Sequence, residues 1–139
     1  RTTMKPPLIP ATIGLLLMSI PGAAAAQATH LIKLQADTAQ GVYRFDPAVV
    51  VAHARDVLVF KVVNGGPHNV TFEGAGLSPQ AHAALNAALP LRSEDLTSPL
   101  LTEPGAVYKV VVPAIPPGSY PFFCLPHTAY DERGELRVK

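Results

Sequence analysis

From Thr29 onward, apolar and polar residues alternate in short runs separated by turn residues. His30-Leu31-Ile32-Lys33-Leu34-Gln35-Ala36 alternates as a strand, and Asp37 to Gly41 turns the chain. Phe45-Asp46-Pro47 leads into a second strand at Val49-Val50-Val51. Arg55-Asp56 then turns into Val57-Leu58-Val59-Phe60-Lys61-Val62-Val63, a nearly continuous apolar run of the kind that fills a sandwich core. Asn64-Gly65-Gly66-Pro67 is a turn by composition, and Asn69-Val70-Thr71-Phe72-Glu73 resumes strand. Further strands are predicted at Ala106 to Val112, at Ser119 to Cys124 after the Pro116-Pro117-Gly118 turn, and at Gly134 to Lys139.

The middle of the chain breaks this period. Gln80 to Leu89 is alanine-rich, with Ser78-Pro79 as N-cap and first helical residue and Pro90 as the stop, which predicts one short surface helix. His82 on it is expected to be solvated, and Leu91 to Pro104 reads as loop. Seven or so short strands with one helix predict an all-β fold, a Greek-key β-sandwich.

The 139 residues support a single domain large enough for a packed core. A formal net charge of +1, with 15% charged residues, leaves no basic surface of the kind that binds nucleic acid. The first 28 residues change the picture. Arg1 and Lys5 precede an uncharged stretch from Leu8 to Ile20, Pro21-Gly22 breaks it, and Ala26-x-Ala28 offers small residues for cleavage ahead of Thr29. Residues 1–28 therefore read as an export signal, with a retained N-terminal anchor as the other reading; the uncharged run is short against a hydrocarbon core of about 30 Å. Residues 29–139 form the folded domain and hold nine basic and ten acidic side chains, which suits a periplasmic protein, membrane-associated if the anchor is retained.

Cys124 is the only cysteine, so no internal disulfide is available to it. It ends an aromatic strand, and His127 follows across Pro126; upstream lies Gly65-Gly66-Pro67-His68-Asn69-Val70. One thiolate and two imidazoles suit a mononuclear copper site, because sulfur and nitrogen together hold both Cu(I) and Cu(II). A lone cysteine is otherwise most often a small buried hydrophobe. His30 and His53 have no motif around them.

The pair Pro67-His68-Asn69 and Cys124-Leu125-Pro126-His127, with Phe45-x-Pro47 and Gly118-x-Tyr120-x-Phe122, resembles the plastocyanin branch of the blue-copper (cupredoxin) family over about residues 30–139. The resemblance implies a cupredoxin-like sandwich with His68 as the buried ligand and Asn69 tying the two ligand loops together. It also implies His127 as the ligand at the surface, where its ring edge is the electron exit. Leu125, Pro126, Gly65, Gly66 and Pro67 would form an apolar rim on which protein redox partners dock. The chain is too short for the copper enzymes built from several such domains.

The family's axial Met, five residues after the second His, is missing: the only methionines are Met4 and Met18, and position 132 holds Glu. Tyr130 or Asp131 would be axial in a shorter loop, but the downstream pattern of axial residue-x-Gly-x-aliphatic matches Glu132-x-Gly134-x-Leu136. If Glu132 binds, its anionic oxygen favours Cu(II), lowers the potential and moves absorption from blue toward green or red; the other reading is that Asp131-Glu132-Arg133 is an ordinary surface turn with Glu132 in solvent, and the copper is three-coordinate or takes water. The leading expectation is an exported single-electron carrier. A cupredoxin-fold accessory subunit, with or without a metal, docked on a membrane electron-transfer or photosynthetic complex, is the alternative. A third reading is an open copper or zinc site with Glu132 as general base, for which no second acid/base constellation is evident in the sequence.

Overall fold

The computed structural model describes residues 2–3, 22 and 25–139; the stretch Leu8 to Ile20 and both methionines lie outside them. Among the described residues no helix is long and apolar enough to cross a membrane. Eight strands among the described residues form two four-stranded sheets packed face to face. The first, in the order β2-β1-β4-β6, comprises β1 Thr29–Asp37, β2 Val42–Asp46, β4 Val57–Val62 and β6 Val107–Val111. The second, in the order β3-β8-β7-β5, comprises β3 Val49–Ala52, β8 Arg133–Val138, β7 Gly118–Phe123 and β5 Thr71–Phe72.

The chain changes sheets between β2 and β3 and returns in β4, so β1 and β4 lie parallel while β1 and β2 form a hairpin. β3 and β8 are likewise parallel. Alternation decides which side chains enter the core: Ile32 and Leu34 of β1, Leu58, Phe60 and Val62 of β4, and Phe122 of β7 are all buried. Phe122 is the hub, edge-on to Phe45, Phe60 and Phe72 with ring centroids 4.9–5.7 Å apart. Each such pair adds about 0.5–1.5 kcal/mol to the burial of its rings.

Three differences from the sequence reading bear on function. β2, which the sequence reading passed over, is a full strand pairing with β1. β5 is only two residues long, because residues 68–72 exchange backbone hydrogen bonds with the loop opposite: His68 with Leu101 in both directions, Ser98 to Val70, and Phe72 to Leu96. The loop 91–104 thus serves as a substitute strand along the edge that carries His68. The helix α1, Pro79–Ala88, starts as expected, with the Ser78 hydroxyl accepting from the Ala81 amide at 3.1 Å, and buries Ala81 and Leu85. Its His82 is paired with Asp95 at 2.8 Å rather than free in solvent.

At the end where β1 and β4 begin, Asp56 is buried and accepts from the Ala28 and His53 amides at 2.9 and 3.0 Å, with the His30 ring at 2.9 Å. The His53 amide foremost, then His30 and Ala28, hold its carboxyl well below the usual range. His30 and His53 therefore have a structural partner that no local motif announced.

Gly134 faces Phe122, and a methyl group there would overlap the Phe122 ring and press on the Ala48 carbonyl oxygen. Gly134→Ala is expected to destabilise the domain by about 1–3 kcal/mol through overpacking, seen as a lowered thermal midpoint. An unchanged midpoint would mean that the Phe122 hub has room to shift.

Candidate metal centre

The inward-facing positions of β7 and β8 define the site. Phe122 pairs with Gly134 and Phe123 with Arg133, so the next rung sets Cys124 opposite Glu132, and the Cys124 amide donates to the Glu132 carbonyl at 3.0 Å. With a period of two, residues 132, 134, 136 and 138 face inward, and Asp131 faces out. Glu132 is accordingly 1% exposed, whereas Asp131 lies at the surface and pairs with Arg133 at 2.6 Å. Between the two strand ends the chain makes a turn of 3-10 helix, Thr128–Tyr130, which the Thr128 hydroxyl braces by donating to the Leu125 carbonyl at 2.7 Å. This turn folds His127 back over the strand ends.

His68, Cys124, His127 and Glu132 are all buried, and one donor atom from each lies within 4.8 Å of the others. The Cys124 Sγ is 4.0 Å from His68 Nδ1 and 3.4 Å from His127 Nδ1. Glu132 Oε2 is 3.2 Å from His68 Nδ1 and 2.6 Å from His127 Nδ1. Ligands held at roughly 2.0–2.3 Å from a tetrahedral ion lie about 3.3–3.8 Å from one another, and these spacings straddle that range.

The protonation pattern points the same way. His68 Nε2–H donates to the Asn64 carbonyl at 2.7 Å, so in the neutral ring Nδ1 presents a lone pair to the carboxylate. Glu132 Oε1, 3.1 Å from that nitrogen, is buried without a hydrogen-bond donor. Lone pairs directed at one another in a dry cavity require a cation between them. Without a metal, a proton takes that place: burial alone lowers His68, but Glu132 and the Asn64 carbonyl outweigh it and raise the ring above its ordinary value. The set of one sulfur, two nitrogens and one oxygen fits copper.

The supports are specific. Asn64 holds the Ala36 backbone through both ends of its amide, at 2.7 and 2.9 Å, which fixes the carbonyl that orients His68. Gly65, at φ +72°, lets the chain pass against Ala36, where a Cβ would collide. Asn69 Oδ1 accepts from the Leu125 amide at 2.8 Å and so ties the His68 segment to the Cys124 loop. Tyr43 on β2 stacks on the His127 ring at 4.0 Å between centroids and 28° between planes, with Tyr130 beside it. His127 is consequently only 7% exposed, less than the ligand at an open surface that the sequence implies. Tyr43 and Asn64 were missed in the sequence; the alternation of Val42-Tyr43-Arg44-Phe45 is the signal that marks the strand carrying Tyr43. Leu125 and Pro126 are exposed beside the site, as are Gly66 and Pro67, and Gly65 is half-buried.

Residues 32–139 match the family model of copper binding proteins of the plastocyanin/azurin family. The chain is 30% identical to a plastocyanin of Synechococcus sp. (strain JA-2-3B'a(2-13)) over 94% of its own length and 88% of that protein's. It is also 30% identical to a plastocyanin of Prochlorothrix hollandica, over 95% and 88%. The oxidised plastocyanin of Dryopteris crassirhizoma superposes with a TM-score of 0.62 at 27% identity, covering 78% of this chain and 99% of that one. The chain belongs to the plastocyanin/azurin family of copper-binding proteins, and copper is the cofactor that this membership and the four gathered donors indicate.

Metal uptake should depend on pH in a defined direction. Burial foremost pushes the Cys124 thiol up to about 12, so binding through the thiolate releases a proton. Below that value apparent affinity should rise about tenfold per pH unit, and more steeply where His68 is also protonated. Competition between the metal-free protein and a coloured chelator for Co(II), across the neutral range, measures the slope. A flat profile would remove Cys124 from the ligand set.

Proposed function

We propose that this member of the plastocyanin/azurin family is an exported mononuclear copper protein that carries single electrons between protein redox partners, with His68, Cys124, His127 and Glu132 as its ligands. The convergence of four buried donors, one of them an unpartnered carboxylate oxygen, carries this reading. Copper, when bound, supplies a one-electron Cu(II)/Cu(I) couple. The chain's own contribution is to hold the donors still. Cys124 and Glu132 close a strand ladder, Asn64 fixes His68, and Tyr43 and the 3-10 turn restrain His127. Donors that keep their positions in both oxidation states need little reorganisation when an electron arrives. Leu125, Pro126, Gly66 and Pro67 give partners an apolar rim beside His127. The chain's relatives are plastocyanins, which favours a carrier over an enzyme.

Export to the periplasm rests on the N-terminal sequence. The folded domain adds a constraint, since Ala28 donates to Asp56 at 2.9 Å and accepts from the Val57 amide at 2.9 Å. Cleavage ahead of Thr29 gives up both bonds. Cleavage after Ala26, which the same alanine run permits, keeps them. The intact mass of the native protein should place the mature start between residues 27 and 29, and a full-length chain found only in membranes would make it an anchored protein.

The purified protein should bind one copper, and Cys124→Ala should abolish its visible absorption, because the sulfur-to-copper transition is the source of colour. A protein that stays metal-free after copper reconstitution would instead favour an accessory subunit docked on a membrane electron-transfer complex.

Glu132→Met should raise the reduction potential by on the order of 100 mV, since a thioether favours Cu(II) less than a carboxylate does and about 59 mV is a tenfold change for one electron. Absorption should move toward blue. If neither potential nor spectrum responds, Glu132 does not ligate.

A further inference from the structure

His127 is the donor nearest the surface, yet its side chain is only 8% exposed. His68 and Cys124 are wholly buried and Glu132 nearly so, which leaves the site one outlet, and that outlet is covered. The cover is aromatic. Tyr43, two residues before Phe45 on the inward face of β2, lies over the His127 ring with 4.0 Å between centroids and 28° between planes. Tyr130 leans on Tyr43 at 4.5 Å and stands edge-on to His127 at 6.2 Å. The three rings are thus linked in series from the buried ligand outward, and the last of them, Tyr130, is 51% exposed.

The backbone around the rings is shaped to keep them in contact. At Gly65, with φ +72°, a Cβ would come within 3.4 Å of the Tyr43 ring. Gly41, with φ +64° in the β1–β2 turn, passes so close under Tyr130 that a Cβ there would lie 3.7 Å from the ring. The Tyr130 amide donates to the His127 carbonyl at 2.9 Å, so ligand and outer ring belong to one rigid turn. The phenols take no part in this. Tyr108 and Tyr120 in the core donate to the Pro90 and Pro116 carbonyls at 2.8 and 2.6 Å, whereas among the described residues the Tyr43 and Tyr130 hydroxyls make no hydrogen bond. Aliphatic side chains would serve to exclude water without leaving half of a tyrosine in solvent. A large ring with an apolar body and a wet tip is instead what protein interfaces favour.

Resting on the carrier role proposed above, we infer that Tyr43 and Tyr130 are the electron port of this domain. A carrier whose one outlet is capped works only if the cap conducts. Tunnelling falls steeply with the width of each gap between bonded groups, and rings in van der Waals contact leave narrow gaps. The electron passes through both rings without residing on either, so no phenol proton is lost and neither tyrosine is oxidised. The partner that fits is a redox protein presenting a conjugated ring edge among apolar side chains, which docks on Tyr130 ring against ring. Gly65 beside Tyr43 continues into the exposed Gly66 and Pro67, so this contact runs on into the apolar rim. Tyr43 and Tyr130 are positioning residues for the transfer and leave the donor set unchanged.

Electron self-exchange between two copies of the copper-loaded protein tests the port, because it has no driving force and does not respond to a change in potential. Line broadening in nuclear magnetic resonance spectra of mixed oxidised and reduced protein gives the rate. Tyr130→Leu should slow exchange about two- to tenfold, the worth of one aromatic contact, with the visible spectrum and the potential unchanged. Tyr130→Phe and Tyr43→Phe keep the rings and should exchange like the wild type. Undiminished exchange in Tyr130→Leu would make the His127 edge the port and overturn the inference. Equal slowing in Tyr130→Phe would assign the effect to the hydroxyl and overturn it as well. A second measurement needs no copper. Diethyl pyrocarbonate should label His127 of the metal-free protein far more slowly than His53, whose side chain is 72% exposed, and Tyr43→Leu should speed the labelling of His127. Equal labelling of the two histidines in the wild type would mean that the rings do not cover the ligand, against the inference. A protein that takes up no copper fails the carrier role and the port with it, whereas a coloured protein with unslowed exchange in Tyr130→Leu fails the port alone.

Discussion

A carboxylate enclosed by two imidazoles and a thiol, all of them buried, is the constraint to which the rest of the molecule answers. An isolated buried carboxylate is strongly unfavourable, and one facing the His68 nitrogen with its lone pair inward is worse. Only a cation or a shared proton relieves it. Binding of metal is therefore also a contribution to folding, since nothing in the unfolded chain assembles these donors. The sandwich supplies the opposing rigidity. Cys124 and Glu132 extend the β7–β8 ladder by one rung, so neither can withdraw without breaking the sheet that Phe122 anchors. His68 is held on the other side by Leu101 and Asn64.

Much of this was legible in the chain because strands have a period of two. The alternation in residues 30–36, 106–112 and 134–139 placed three of the strands within a residue or so of their ends, and Ser78-Pro79 marked the helix start. The same period distinguishes Glu132 from Asp131: counting by twos from the buried Leu136 through Gly134 reaches 132. What stayed hidden depends on contacts between distant segments. Asn64 looks like a turn residue, and nothing local says that its side chain grips Ala36 twenty-eight positions away. Tyr43 looks like part of a connection until β2 is paired with β1. The residues 69–73 read as a full strand because the sequence does not show that a loop, not a strand, supplies their partners. His30 and His53 looked unassigned because Asp56 joins them only in three dimensions.

The charge of the site changes sign of preference when a carboxylate stands where the family has a thioether. Were Glu132 to bind, one thiolate and one carboxylate would neutralise Cu(II), and the oxidised centre would carry no net charge. Reduction would then leave one uncompensated negative charge in a cavity where all four donors are buried. With a thioether the order reverses: the oxidised centre is cationic and the reduced one neutral. Low-dielectric surroundings disfavour whichever state bears net charge, so the same burial that favours Cu(I) in the thioether arrangement favours Cu(II) here. The anionic oxygen and the dry cavity then act in the same direction, and water exclusion by Tyr43 and the ligand loop strengthens both. A donor able to reduce such a centre must be a stronger reductant than one serving a thioether-ligated site. Under the proposed carrier role its electron would enter beside His127, because the other three donors are sealed inside the sandwich.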